Sequence, residues 1–217
     1  MHRTGSSTMN LINSIGLALG AGLLSSAVLA HSGHEQPQPS ASPAVQEVKG
    51  GRTMDARSYF TDSRLLNQDG QEVRFYSDVL DGRVVLLNVI FTRCEDACPL
   101  ITRKLKEVRD ALGEDAGRVH FVSLSSDPEH DSPQALKAYA RKHSADDPNW
   151  TFLTGPKDQL DVVLARLGQL SRSPQEHSTQ LIAGDVAHKR WSKIRPDAPV
   201  QAIAQRLQLL AEPVAGR

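Results

Sequence analysis

The stretch VVLLNVIFTRCEDACP, Val84 to Pro99, decides the fold. Its first eight residues are a near-continuous apolar run rich in β-formers, the pattern of a strand covered on both faces. Pro99 then suits the first turn of a helix, over which Leu100, Ile101, Leu105, Val108 and Leu112 recur at helical spacing. Between strand and helix sit Cys94 and Cys98, the only two cysteines in 217 residues. Two thiols four positions apart, with none elsewhere, form a disulfide, a redox pair or two soft metal ligands.

Working outward, Phe60 to Phe75 holds strand-like pieces around Asp69-Gly70, a hairpin-turn signal. Val119 to Leu124 reads as a second buried strand. Ser132-Pro133 is an N-cap followed by a first-turn proline, opening a helix that runs to about His143. Trp150 to Leu153 is a short strand, and Lys157 to Leu167 a helix ending at Gly168. Thr179 to Ile182 and Val186 to Ile194 read as a hairpin turning at Gly184-Asp185, and Ala198 to Leu210 as a last helix. Strands alternating with helices imply an α/β sandwich. A cysteine pair where a buried strand meets a helix adds, by analogy, a thioredoxin-like arrangement with an N-terminal β-hairpin extension.

The charge balance excludes one class of function. The chain has 25 basic and 25 acidic side chains. No basic face of the kind a nucleic-acid binder carries is evident. Residues 1–30 carry only Arg3, followed by a charge-free run from Leu11 to Ala30 that ends in small residues. This is a signal peptide or an N-terminal membrane anchor; membrane attachment through residues 11–30 follows if the segment is retained. Either way the folded part is expected outside the cytoplasm, and an export signal of bacterial type favours the periplasm. Residues 31–55, with Pro37, Pro39, Pro43, Gly50 and Gly51, read as a flexible tether. Cleavage after Ala30 would leave His31-Ser32-Gly33-His34 at the new N-terminus, where a free amine with a histidine at position one can chelate Cu(II). Residues 56–217 remain as the folded domain.

The electropositive start of a helix favours thiolate, the form that binds metal and attacks disulfides. Pro99 places Cys98 as the last residue before the helix, with Cys94 in the loop ahead. Glu95 and Asp96 oppose thiolate formation, a penalty that a bound cation reverses; Arg93 partly offsets them. Two thiolates suit Cu(I) or zinc. Zinc would want four ligands and there is no second cysteine pair, whereas Cu(I) accepts three, so one imidazole completes the site. Spacing alone does not choose among His120, His130, His143, His177 and His188. In a thioredoxin-like sandwich the loop before the last hairpin faces the cysteine loop, which singles out His177. Asp127, in the turn after the second buried strand, is a candidate outer partner to the metal. Asp131 and Ser132 read as helix caps.

Four segments in order resemble the Sco/SenC family. The first is Thr92 to Pro99, similar to that family's Cys-x-x-x-Cys-Pro signature. The second is Ser125 to Pro133, similar to its Ser-x-Asp-Pro-x-x-Asp-x-Pro. Trp150 to Gly155 resembles its Trp-x-x-Leu-Thr-Gly, and Glu176-His177-Ser178 its His-Ser, which carries the third copper ligand. The resemblance implies one copper ion, Cu(I) or Cu(II), on Cys94, Cys98 and His177. It also implies a metallochaperone that delivers copper to, or helps assemble, the binuclear copper centre of cytochrome c oxidase. The partner would be the copper-centre subunit or another periplasmic copper or thiol protein. Some members serve instead as thiol-disulfide oxidoreductases, in which Cys94 would attack and Cys98 resolve. A peroxidase of the same fold would want a single reactive cysteine with activating Arg and Thr. Two departures stand out: Glu95 replaces a frequent Pro, and the segment from Leu167 to His177 is short.

Overall fold

In the computed structural model, which describes residues 55–213, the apolar run Val84–Ile90 is strand β3. The export segment, His31, His34 and the tether up to residue 54 lie outside the described residues. Around β3 assemble β1 (Arg64–Asn67), β2 (Glu72–Arg74), β4 (Val119–Ser125), β5 (Trp150–Thr154), β6 (Leu181–Asp185) and β7 (Arg190–Ile194). They form one seven-stranded sheet in the order β2-β1-β5-β4-β3-β6-β7. The strands β3, β4 and β5 run parallel, and both flanks are antiparallel.

Successive β3 side chains point to opposite faces, so they divide between two cores. Leu86 and Ile90 pack with Leu105 and Val108 of helix α2 (Ala97–Leu112), Leu136 of α3 (Pro133–Lys142) and Ile203 and Leu207 of α5 (Val200–Ala211). Val85, Leu87 and Val89 pack on the other face with Leu160 and Val163 of α4 (Lys157–Arg166). That face is closed by Phe60 from the short helix α1 (Ala56–Phe60), and by Phe75 and Val79 from a single π-helical turn, Phe75–Leu80. Neither of these two short elements has enough length to leave a periodic signal in sequence. Asn88, the one polar residue of β3, accepts from Ser123 Oγ at 2.8 Å, and Trp150 Nε1 donates to the same hydroxyl at 2.9 Å.

The N-terminal hairpin turns where Asp69-Gly70 predicts. Asn67 Oδ1 accepts from the Asp69 and Gln71 amides at 3.0 and 2.9 Å, and Gly70 takes a positive φ of 78°. The hairpin joins the sheet by pairing Leu66 with Thr154 and Asn67 with Leu153.

The second hairpin turns elsewhere than expected. Gly184 and Asp185 are strand residues paired with Trp191 and Arg190, and the chain reverses over the four residues that follow them. The glycine is there for space, since a Cβ would lie 2.2 Å from Cε3 of the Trp191 ring. Asp185 is buried and organises the turn: Arg190 Nη2 and His188 Nδ1 both donate to its Oδ2 at 2.7 Å. Gly184→Ala therefore destabilises the fold by about 1–3 kcal/mol through overpacking, read as a lowered urea midpoint. A glycine that served only a turn at this position would give no such loss on gaining a methyl group.

Candidate metal centre

The end of β3 delivers Phe91, a five-residue loop follows, and α2 begins at Ala97. The loop is tight because the Cys94 amide donates back to Phe91 O at 3.1 Å. Cys98 is thus the second residue of α2, inside its first turn, rather than the residue before it. Its own amide, one of those without a partner inside the helix, donates to Cys94 Sγ at 3.4 Å. Both thiols are free; Cys94 is half-buried and Cys98 wholly buried.

His177 arrives from the other end of the fold. The segment after α4 closes with a 3-10 turn, Pro174–Glu176, and His177 follows it ahead of β6. Short as that segment is, it brings His177 Nε2 to 3.6 Å from Cys98 Sγ. On the other side of the ring, Nδ1 lies 3.0 Å from Ser178 O. A carbonyl can only accept, so Nδ1 carries the proton and the Nε2 lone pair faces the thiol. The Phe91 ring meets the imidazole edge to face, with centroids 5.7 Å apart. Burial holds His177 below the ordinary histidine pKa, against the Ser178 bond, so the ring is neutral near pH 7.

Burial also governs Cys98. Its thiol is pushed up to about 12, by burial first and by the hydrogen bond to Cys94 second. The helix start does not make this cysteine a resting thiolate, contrary to the expectation from sequence. Glu95 and Asp96 are exposed, where water screens their charges.

Among the described residues, no three His, Cys, Asp or Glu side chains stand preassembled around a metal position. What is assembled is the Cys98–His177 contact, with Cys94 tied to it through N–H···S. The donor types, two sulfurs and an imidazole nitrogen with an inward lone pair, suit a soft cation such as copper. The other histidines of the described residues are engaged elsewhere. His120 bonds Thr151, His130 bonds Asp127, His188 bonds Asp185 and His143 packs on Tyr139.

Asp127 is buried and bonded to Arg93 Nη2 and His130 Nδ1, both at 2.8 Å. Burial works to raise its pKa, but these two bonds prevail and hold it below the usual carboxylate value. It touches the cysteine loop through Arg93, the neighbour of Cys94. The structure also corrects the reading of Asp131. Ser132 alone caps α3, accepting from the Ala135 amide at 3.2 Å, while the Asp131 carboxyl turns away toward Thr92. A second cap beside Ser132-Pro133 would be redundant, which is the signal the sequence offers.

A family model described as SCO1/SenC matches residues 52–208. The SCO1 protein homolog of Bacillus subtilis is 40% identical over 89 residues, which cover 41% of this chain and 45% of that protein. The chain thus spans about half the length of the curated relatives it matches. Among solved structures, Bradyrhizobium japonicum ScoI with copper bound is 26% identical with a TM-score of 0.57, over 68% of this chain and 96% of that one. BsSco, described as having a disulfide switch and as a member of the Sco family of cytochrome c oxidase assembly proteins, is also 26% identical. Its TM-score is 0.60, over 70% of this chain and 92% of that one.

The two thiols differ in access, and burial holds Cys98 protonated. At pH 8 a thiol with a pKa near 12 is ionised in about one molecule in ten thousand. In the reduced protein, iodoacetamide therefore alkylates Cys94 first, and Cys98 reacts only on unfolding or strongly alkaline titration. Peptide mass mapping of a time course at pH 8 checks this order.

Proposed function

The chain belongs to the SCO1/SenC family, and from that premise we propose that it is a copper-binding metallochaperone of the periplasm. One copper ion, Cu(I) or Cu(II), is held by Cys94, Cys98 and His177 and passed on in assembly of the binuclear copper centre of cytochrome c oxidase. The observation that carries this reading is the buried Cys98–His177 contact, with Nδ1 anchored on Ser178 and the unprotonated Nε2 turned toward Cys98 Sγ. The copper-bound Bradyrhizobium relative and the assembly role stated for BsSco's family support it. Residues 1–30 direct export or anchor the chain, residues 31–55 act as tether, and residues 56–217 are the copper domain. Membrane attachment, if the N-terminal segment is retained, would run through residues 11–30; among the described residues no helix is long and apolar enough to cross a membrane.

The residues divide the work by exposure. Cys98 and His177 are the retained pair, and Cys94 is the ligand an incoming thiolate or imidazole of the recipient reaches first. The neutral His177 ring offers its lone pair without losing a proton, whereas Cys98 must release one, so copper binding is coupled to proton release. In a Cu(I) titration of the reduced protein against a competing chelator, the wild type takes up one equivalent. His177→Ala binds more than about 100-fold more weakly, a larger loss than outer partners cause. Unchanged affinity in this variant would remove His177 from the ligand set.

The exposure asymmetry also favours a second role as a thiol-disulfide oxidoreductase acting on a partner's cysteines. The half-buried Cys94 would attack and the buried Cys98 would resolve the mixed disulfide. Reduced Cys98→Ser, mixed with a model protein whose cysteine pair is oxidised to a disulfide, then accumulates mixed disulfides visible on non-reducing gels, and the wild type does not. Absence of the trapped species would leave the copper role alone.

A further inference from the structure

We propose that Asp131 is a positioning residue for the cysteine loop: its buried carboxylate pins Thr92 to the end of β4 and so sets where Cys94 stands relative to Cys98. Asp131 is fully buried. Oδ1 accepts from the Thr92 amide at 3.0 Å and from Thr92 Oγ1 at 2.5 Å, and Oδ2 accepts from Ser125 Oγ at 2.5 Å. Three donors thus converge on one carboxylate, and two of them belong to the residue two places before Cys94.

The contrast with the other buried aspartates is informative. Asp127 is paired with Arg93 and His130, and Asp185 with Arg190 and His188. None of the ion pairs among the described residues involves Asp131. A buried carboxylate compensated by hydrogen bonds alone is a costly way to hold a loop, and an apolar residue would serve stability as well. What the carboxylate supplies is a fixed geometry. Ser126 N donates to Ile90 O at 2.8 Å, tying the ends of β3 and β4 together directly below the loop. Ser125 Oγ accepts the Asp127 amide at 2.9 Å while it donates to Asp131. The network joins the strand ends, the Asp127 turn and Thr92 into one unit, with Cys94 at its rim.

The copper part of this inference rests on the ligand set proposed above; the thiol part does not. The test compares Asp131→Asn, Thr92→Val and Ser132→Ala with wild type. Asparagine has the shape of aspartate but turns an amide donor toward a hydroxyl, and Thr92→Val removes one of the three donors. Ser132→Ala removes the neighbouring helix cap and serves as a purely structural control. Three quantities are read: the dithiol–disulfide equilibrium in glutathione buffer without metal, the Cu(II)–thiolate absorption, and the urea midpoint. Asp131→Asn is expected to shift the dithiol equilibrium about tenfold, which is about 30 mV. It also weakens copper binding about 10- to 100-fold with a displaced absorption band. Thr92→Val moves both in the same direction by less, and carries the test if Asp131→Asn does not fold. Ser132→Ala lowers the urea midpoint alone. The proposal is overturned if Asp131→Asn and Thr92→Val, like Ser132→Ala, lower stability yet keep the wild-type dithiol equilibrium and spectrum. A wild type that binds no copper would defeat the ligand set while leaving the thiol measurement to decide on Asp131.

Discussion

The contact between Cys98 Sγ and His177 Nε2 joins residues 79 apart in the chain, and the other parts of the site are arranged around it. One partner stands in the first turn of α2, which is fixed by the packing of Leu105 and Val108 on β3. The other is fixed by the loop ahead of β6, which pairs antiparallel with the same strand β3. Sheet order therefore supplies the proximity: β6 lies beside β3, so whatever precedes β6 faces whatever follows β3. No local sequence signal could create that neighbourhood, and no helix start alone would supply an imidazole.

The electrostatics of the pocket follow from dryness more than from charge. Burial is the largest influence on both Cys98 and His177, and in each it disfavours the charged form. The resting pair is neutral, thiol facing imidazole. A soft cation would change the balance by taking the proton's place on the sulfur and holding its negative charge, which neither the α2 start nor Arg93 does in this structure. The same burial that suppresses a free thiolate thus leaves a site whose ionised form depends on having a cation.

Much of this was legible because the signals were local and redundant. The run from Val84 to Ile90 reads as a two-faced strand since both faces are covered. Asp69-Gly70 marks a turn that Asn67 then caps, and Ser132-Pro133 marks a helix start with a real cap bond. The departures share one cause, that a residue's type does not say which distant group it meets. Gly184 looks like a turn glycine but is small because the Trp191 ring lies over it. Asp131 looks like a cap but spends its bonds on Thr92 and Ser125, and Cys98 looks like a helix-start thiolate but is sealed from water. His177 was reachable only through topology and resemblance, because among the histidines nothing in its spacing distinguishes it.

The copper and redox readings meet at the same two sulfurs, and chemistry makes them exclusive at any instant. A disulfide between Cys94 and Cys98 uses the electrons that two thiolates would offer a metal, leaving His177 as the remaining strong donor of the three. A copper ion on both sulfurs, conversely, withholds from an incoming disulfide the thiolate it would need. The half-buried position of Cys94 is the point where the two uses compete. On either reading it is the sulfur that an incoming group would encounter first, while Cys98 is buried behind it. On these proposals the choice between the two chemistries would be made by what arrives at Cys94 and by the geometry in which the loop holds it, with no change of fold required.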